Sequence, residues 1–494
     1  MKLHLLAIAV ATTIACHAVA PRESEGPRPN LIVFLVDDLG WQDTSVAFHE
    51  HRTPGQERFR TPHVEALAAR GMKFTNGYAS APVCTPTRTS LMTGRSPGQN
   101  HITYWTLHAD QDTSRKHPTL SPPAWDVNGL QPGDVTLAGL LSDAGYRSIH
   151  VGKAHLGAVG TPGGDPLQLG FDVNVGGHGA GAPATYQGSR RFRKHPTKPN
   201  VWDVPGLAEY ARDDVFLTEL LAERAVAELE SALDAEVPVF LHMAPYAVHT
   251  PLEMNPAWEH ETEGLVPQEA KYATMVRSMD AALGAIVDCL ERRGQLENSW
   301  IVFTSDNGGL SAVARGGERH VHNAPLRSGK GSAYEGGTRV PWIVAGPGVP
   351  AGTTSDQPVI THDLFPTLLA LGDVACPTEH RSTVEGLDLS GHFRSQEPLG
   401  RRPFHWHQPH QWGAKGPGIE PFTSLRLGDD KLIWWHATNT FELYDLANDI
   451  GETTNLAPTE PERVQFLTDH LVLWMKLFEV QPSTESATGD PRWP

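Results

Sequence analysis

The chain has 494 residues, 39% of them hydrophobic, and a formal net charge of -17. That length supplies a large core and more than one structural unit, and the acidity argues against a nucleic-acid binder, which would be basic. Four cysteines exclude a disulfide scaffold, while 47 glycines and 40 prolines indicate many loops, where enzymes place their sites.

Residues 1–20, MKLHLLAIAVATTIACHAVA, combine an early Lys2 with an apolar run and small residues. This predicts a secretory signal and an exported protein, periplasmic or secreted. Leu5 to Ile14 is too short to cross a bilayer, so no stable membrane insertion is expected. Ile14-Ala15-Cys16 leaves lipid anchoring through Cys16 as the alternative.

Asn30–Val36, NLIVFLV, is a continuous apolar, β-branched run, the pattern of a strand covered on both faces. Similar runs predict strands over Arg147–Val151, Val237–Met243, Trp300–Thr304 and Val340–Val344. Helices are predicted between them. Thr61–Arg70 has Pro62 in its first turn and Gly71 after it, and Asp134–Ala144 ends at Gly145. Asp213–Leu233, Gln268–Arg293 and His362–Leu371 complete the set. The alternation implies an α/β fold with a large, mainly parallel sheet flanked by helices over residues 28–395. Over residues 400–480, short segments such as PFTSLRL, KLIWWH and FELYDL, and then a helical stretch at Glu460–Phe478, predict a smaller antiparallel sheet plus helix. Residues 481–494 are expected to be disordered.

In parallel sheets, sites form beyond the carboxyl ends of the strands. Asp37 and Asp38 follow the first strand, Lys153 and His155 the second, His249 follows VFLHMAPYAV, and Asp306 and Asn307 follow WIVFTS. Three carboxylates and an amide oxygen are hard donors that suit Ca²⁺, with Mg²⁺ second. The competing reading is local: Asp-Asp after a strand and Asp-Asn-Gly at a turn both cap backbone. Lys153 and His155, two apart, can share one side of an extended segment. They could equally be a surface lysine and a capping histidine. Cys289 falls on the apolar face of a helix with Met275, Met279, Leu283 and Ile286. A Cys289–Cys376 disulfide is possible on count alone.

The string PVCTPTRTSLMTGRSP, with Cys84, Pro86, Arg88 and Thr93-Gly94-Arg95, carries the most information. It resembles the active-site signature of type I, formylglycine-dependent sulfatases of the alkaline phosphatase superfamily. GKAHLG, YAVHTP, TSDNGG and LRSGKGSAYEGGTRVP are similar to further motifs of that family, and the resemblance runs from about residue 28 to LYDLANDIGETTNLA at 443–457. It implies an alkaline phosphatase-like fold and hydrolysis of sulfate esters. A maturation enzyme would oxidise Cys84 to formylglycine, whose hydrate attacks sulfur and later expels sulfate. One Ca²⁺ would be held by Asp37, Asp38, Asp306, Asn307 and modified Cys84. Lys153 would bind sulfate and the diol, Lys330 would be the second sulfate-binding lysine with Arg88 completing the cationic set, His155 would act on the diol, and His249 would protonate the leaving oxygen. The family usually has Trp where this chain has Ala154. Bacterial sulfatases of polysaccharides, particularly of galactose or N-acetylgalactosamine 4-sulfates, resemble the chain at HITYWT and WDVNGL. His101, Trp105, His178, His405 and His407 are the candidates for contacts to a sulfated carbohydrate or aryl sulfate. Two alternatives remain on sequence: a phosphomonoesterase or phosphodiesterase of the same superfamily, and an inactive carbohydrate-binding relative.

Overall fold

The computed structural model describes residues 27–312 and 314–494. The expected signal segment and Cys16 therefore lie outside the described residues. Among the described residues no helix is long and apolar enough to cross a membrane.

An eight-stranded sheet forms the centre. Its strands are β1 Asn30–Val36, β2 Met72–Phe74, β3 Arg147–Gly152, β4 Val173–Val175, β5 Val239–Ala244, β6 Ser299–Ser305, β7 Trp342–Ala345 and β8 Thr353–Ser355. Across the sheet the order is β8-β2-β7-β6-β1-β5-β3-β4. Every pairing is parallel except the two made by β7, which runs against β6 and β2. The expected mainly parallel sheet is thus present.

The apolar run of β1 has a direct cause. Side chains alternate across a strand. Ile32, Phe34 and Val36 pack into one core with Leu220 and Leu221 of the helix Leu217–Asp234 and Met275, Met279 and Leu283 of the helix Pro267–Arg292. Leu31, Val33 and Leu35 pack into a second core with Leu137 and Leu141 of Leu137–Asp143 and with Phe365 and Leu368 of Leu364–Leu371. Both faces of the strand are covered, so neither tolerates a polar residue.

The C-terminal part is a four-stranded antiparallel sheet, β9 Pro403–Gln408, β10 Phe422–Leu427, β11 Asp430–Trp435 and β12 Thr440–Asp445, followed by the helix Pro461–Leu477. One face, with Phe404, Trp406, Phe422 and Ile433, packs on Tyr78 and Ile360 of the larger unit. The other, with Leu425, Leu432, Trp434 and Leu443, receives Leu467, Leu471 and Met475 of the helix. The tail differs from its expectation: Thr484–Glu485 pair antiparallel with Leu120–Ser121, and Ser483 is buried. Cys84, Cys289 and Cys376 are free thiols, so the possible Cys289–Cys376 bridge is not formed.

A buried ionic knot joins the two units. Lys431 Nζ lies 2.9 Å from Glu335 Oε1 and 2.8 Å from Glu452 Oε1, all three side chains fully buried. Arg339 also reaches Glu335 at 2.7 Å. Removing one member of such a knot strands the rest without solvent. Lys431→Met is therefore expected to cost ~3–5 kcal/mol in chemical denaturation. A loss under about 1 kcal/mol would show that the knot does not hold the units together.

Candidate active site

Register assembles the site. β1 and β6 pair in parallel with Val36 opposite Ser305, so the residues that follow, Asp37-Asp38 and Asp306-Asn307, emerge side by side. β5 and β3 flank β1 in turn, with Ala244 opposite Gly152. Gly152 is in the left-handed region at φ 96°, and a Cβ there would sit 2.1 Å from the Ala244 carbonyl oxygen. Only glycine lets the strand turn Lys153 into the centre at this close approach. Asp38 and His155 also have positive φ, 60° and 50°. The segment at 153–155 is therefore not the extended stretch expected, yet both side chains reach the site.

Asp37, Asp38, Asp306, Asn307, Arg88 and Lys153 are all fully buried. Lys153 Nζ donates to both oxygens of Asp37 at 2.8 Å. Lys330 Nζ lies 2.6 Å from Asp38 Oδ1, and Arg88 Nε donates to Asp306 Oδ2 at 2.8 Å. Arg88 Nη1 donates to the Lys153 carbonyl at 2.6 Å, which fixes the guanidinium beneath that turn. Three carboxylates thus face three cationic side chains. Burial pushes the Asp37 carboxyl well above the usual range against the pull of Lys153. Burial also raises Asp38 and Asp306, but Lys330 and His249 around Asp38, and Arg88 and Lys153 around Asp306, hold both below it.

Asp38 Oδ2 and Asn307 Oδ1 are buried and accept no hydrogen bond. Orphaned buried acceptors are uncommon and costly. Two hard oxygens left open beside Asp37 and Asp306 are what a Ca²⁺ or Mg²⁺ ion would take up, so the residues present fit such a cation. Asp37, Asp38 and His249 also bring a ligand atom each within 4.8 Å of one another, which adds His249 to the candidate donors.

Cys84 is the first residue of the helix Cys84–Thr93, buried, and it lines a cavity of about 650 Å³ together with His155, His249 and Lys330. His155 Nε2 faces the Thr106 carbonyl at 2.8 Å and must carry the proton there. Burial, with Lys153 nearby, pushes His155 well below its ordinary value, so the ring is neutral and Nδ1 is an unpartnered acceptor. The ring stands against Gly181, where a Cβ would lie 2.4 Å from its Cε1. His249 Nδ1 donates to the Thr250 carbonyl at 2.8 Å, and Nε2 lies 3.5 Å from Asp38 Oδ2. Burial, reinforced by Lys330 and Lys153 against the pull of Asp38, lowers His249 to about 3.

Of the five candidate substrate contacts, only Trp105 lines this cavity. His405 is stacked on Trp474 at 4.3 Å, and His407 bonds Thr423 and the Gln481 carbonyl, both in β9 at the joint with the C-terminal helix. His101 Nε2 meets the Glu479 carbonyl. His178 is a second-row residue: its carbonyl accepts the His155 backbone N–H at 3.1 Å, while its ring packs near Tyr246. The cavity walls hold residues that sequence reasoning missed, Arg115, Trp202 and Trp412, beside Tyr104 of the HITYWT string. Trp412 lies 5.9 Å from Lys330 Nζ.

Comparison with known proteins shows which family the chain resembles. The family model Sulfatase matches residues 29–374. N-acetylgalactosamine-6-sulfatase of Canis lupus familiaris is 31% identical over 84% of this chain and 73% of its own length. A sulfatase of Formosa agariphila is 27% identical over 90% of this chain and 87% of its own. Among solved structures, Ps i-CgsB in complex with k-i-k-neocarrahexaose superposes with a TM-score of 0.73 at 26% identity, covering 90% of this chain and 92% of that one.

Proposed function

Because the chain belongs to the sulfatase family and is a sulfuric ester hydrolase, we propose that it removes sulfate from a carbohydrate, with formylglycine made from Cys84 and one calcium ion. The observation that carries this reading is Cys84, at a helix start on the cavity floor, among His155, His249 and Lys330. The hydrate of that aldehyde would supply the hydroxyl that attacks sulfur. Asp37, Asp38, Asp306 and Asn307, with the oxygen at position 84, would hold the calcium ion, which would supply Lewis-acid polarisation of the sulfate.

The chain's own groups divide the remaining work. Arg88, Lys153 and Lys330 place fixed N–H donors around the sulfate, where charge shifts onto oxygen in the transition state. Neutral His155, its Nε2 proton held by Thr106, offers Nδ1 as the base for a hydroxyl at position 84. His249, its Nδ1 proton held by Thr250, would have to take a second proton on Nε2 to act on the leaving oxygen, and the negative charge of a bound sulfate ester would favour that imidazolium. Tyr104, Trp105, Trp202 and Trp412 give the cavity apolar faces on which sugar rings stack. The names of the relatives favour a galacto-configured sugar, and a panel of 4- and 6-sulfated galactose and N-acetylgalactosamine decides the position. The maturation enzyme that oxidises Cys84, and export by the N-terminal signal, belong to the same proposal.

Mass spectrometry of the peptide holding Cys84 should find the aldehyde in active protein, and Cys84→Ala should abolish turnover. An unmodified thiol in fully active enzyme, or full activity in Cys84→Ala, would overturn the proposal.

The proximity of His249 to Asp37 and Asp38 favours a second role for it, as a ligand rather than an acid. The two roles separate by leaving group. As a general acid, His249→Ala should slow sugar sulfates by roughly 10²–10⁴-fold and nitrophenyl sulfate far less, since phenolate departs without a proton. Equal losses for both substrates would assign it to the metal.

A further inference from the structure

The charge of the cavity runs against that of the chain. The protein carries -17 overall, yet among the described residues no carboxylate lines the cavity, whereas Lys330 and Arg115 do. Local cations in a cleft can dominate its field whatever the net charge. Lys330 is committed to Asp38 and the sulfate end. Arg115 is not: among the described residues its guanidinium makes no hydrogen bond or ion pair. Asp112, on the same segment, accepts the backbone N–H of Ser114.

The position of Arg115 is nevertheless fixed. Its backbone N–H donates to the Gln411 carbonyl at 3.2 Å, and the Tyr104 hydroxyl donates to the same oxygen at 3.0 Å. These bonds clip the segment around Arg115 to the one bearing Trp412 and Gly413. Arg115 Nε lies 3.7 Å from where a Cβ on Gly413 would sit, so the side chain runs along this wall. A solvent-facing guanidinium with free donors, held on the wall of the same cavity that Cys84 and Lys330 line, has the chemistry to receive an anion. Its planar fork matches the oxygens of a sulfate ester or a carboxylate.

Resting on the sulfatase reading above, we infer that Arg115 binds a second anionic group on the substrate. The preferred substrate class is then a saccharide with at least two anionic groups, the scissile sulfate on the floor and a further sulfate ester or carboxylate at Arg115. Arg115 acts on specificity and takes no part in the chemical step.

The test compares kcat/KM for saccharides sharing the scissile sulfate, with and without a second sulfate or a uronate carboxylate. Wild type should prefer one of the doubly anionic forms, and which arm shows the preference identifies the second group. Arg115→Ala should lower the ratio of doubly to singly anionic substrate on the order of tenfold, with Arg115→Lys between. Added NaCl should erode the wild-type preference and leave the ratio of Arg115→Ala nearly flat, because a solvent-facing ion pair is screened whereas a bond to a neutral hydroxyl is not. No preference in wild type, or an equal fall for both substrates in Arg115→Ala, overturns this inference and leaves the sulfatase reading standing. Failure of wild type to hydrolyse any sulfate ester, nitrophenyl sulfate included, removes both.

Discussion

Three carboxylates buried side by side set the terms for the rest of this molecule. Asp37, Asp38 and Asp306 have no exposed surface, and taking each ion out of water costs on the order of several kcal/mol. The cost is offset by charges brought from elsewhere in the chain, Arg88 from the helix Cys84–Thr93, Lys153 from the turn after β3 and Lys330 from the loop before β7, and by N–H donors of Asp38 and Asn307. The parallel register of β1 on β6 brings the carboxylates together, and the neighbouring strands β5 and β3 deliver His249 and Lys153 to the same edge. The fold is thus a means of holding like charges closer than they would stay alone.

The balance within this cluster also explains what it can receive. Three carboxylates and three cationic side chains leave it near neutral. A divalent cation would make it positive, the state in which a sulfate ester binds and a departing sulfate dianion is tolerated. The backbone is bent to the same purpose. Asp38 and His155 sit at positive φ, a conformation non-glycine residues avoid at a cost of about 1–3 kcal/mol and retain chiefly at functional sites. Each leaves one acceptor unmet, Asp38 Oδ2 and His155 Nδ1; in the proposed reaction the first would meet the cation and the second the proton.

Much of this was legible in sequence because it follows from periodicity and chain order. The apolar run Asn30–Val36 announces a strand covered on both faces, and Asp-Asp, Lys-x-His and Asp-Asn each follow a strand end, where parallel sheets place their sites. The cavity walls were legible only at the HITYWT string, through Tyr104 and Trp105. His405 and His407 looked like sugar contacts because histidine next to tryptophan suits a binding site. In β9 the same residues are core groups, stacked or hydrogen-bonded against the C-terminal helix and the segment after it. The residues that do form the walls, Trp202, Trp412 and Arg115, come from three loops with no periodicity and no shared motif, brought together only by contacts such as Arg115 to Gln411. The tail misled in a similar way: its polar composition reads as disorder, but the pairing of Thr484–Glu485 with Leu120–Ser121 depends on a partner more than 350 residues away in the chain.

Elemental analysis of the purified enzyme, repeated on Asp38→Asn, tests whether the buried carboxylates hold a metal. One calcium ion per chain is expected in the wild type, with its loss from Asp38→Asn while the folded core persists. Wild-type protein that is fully active without any divalent cation, or that holds two zinc ions, would contradict this.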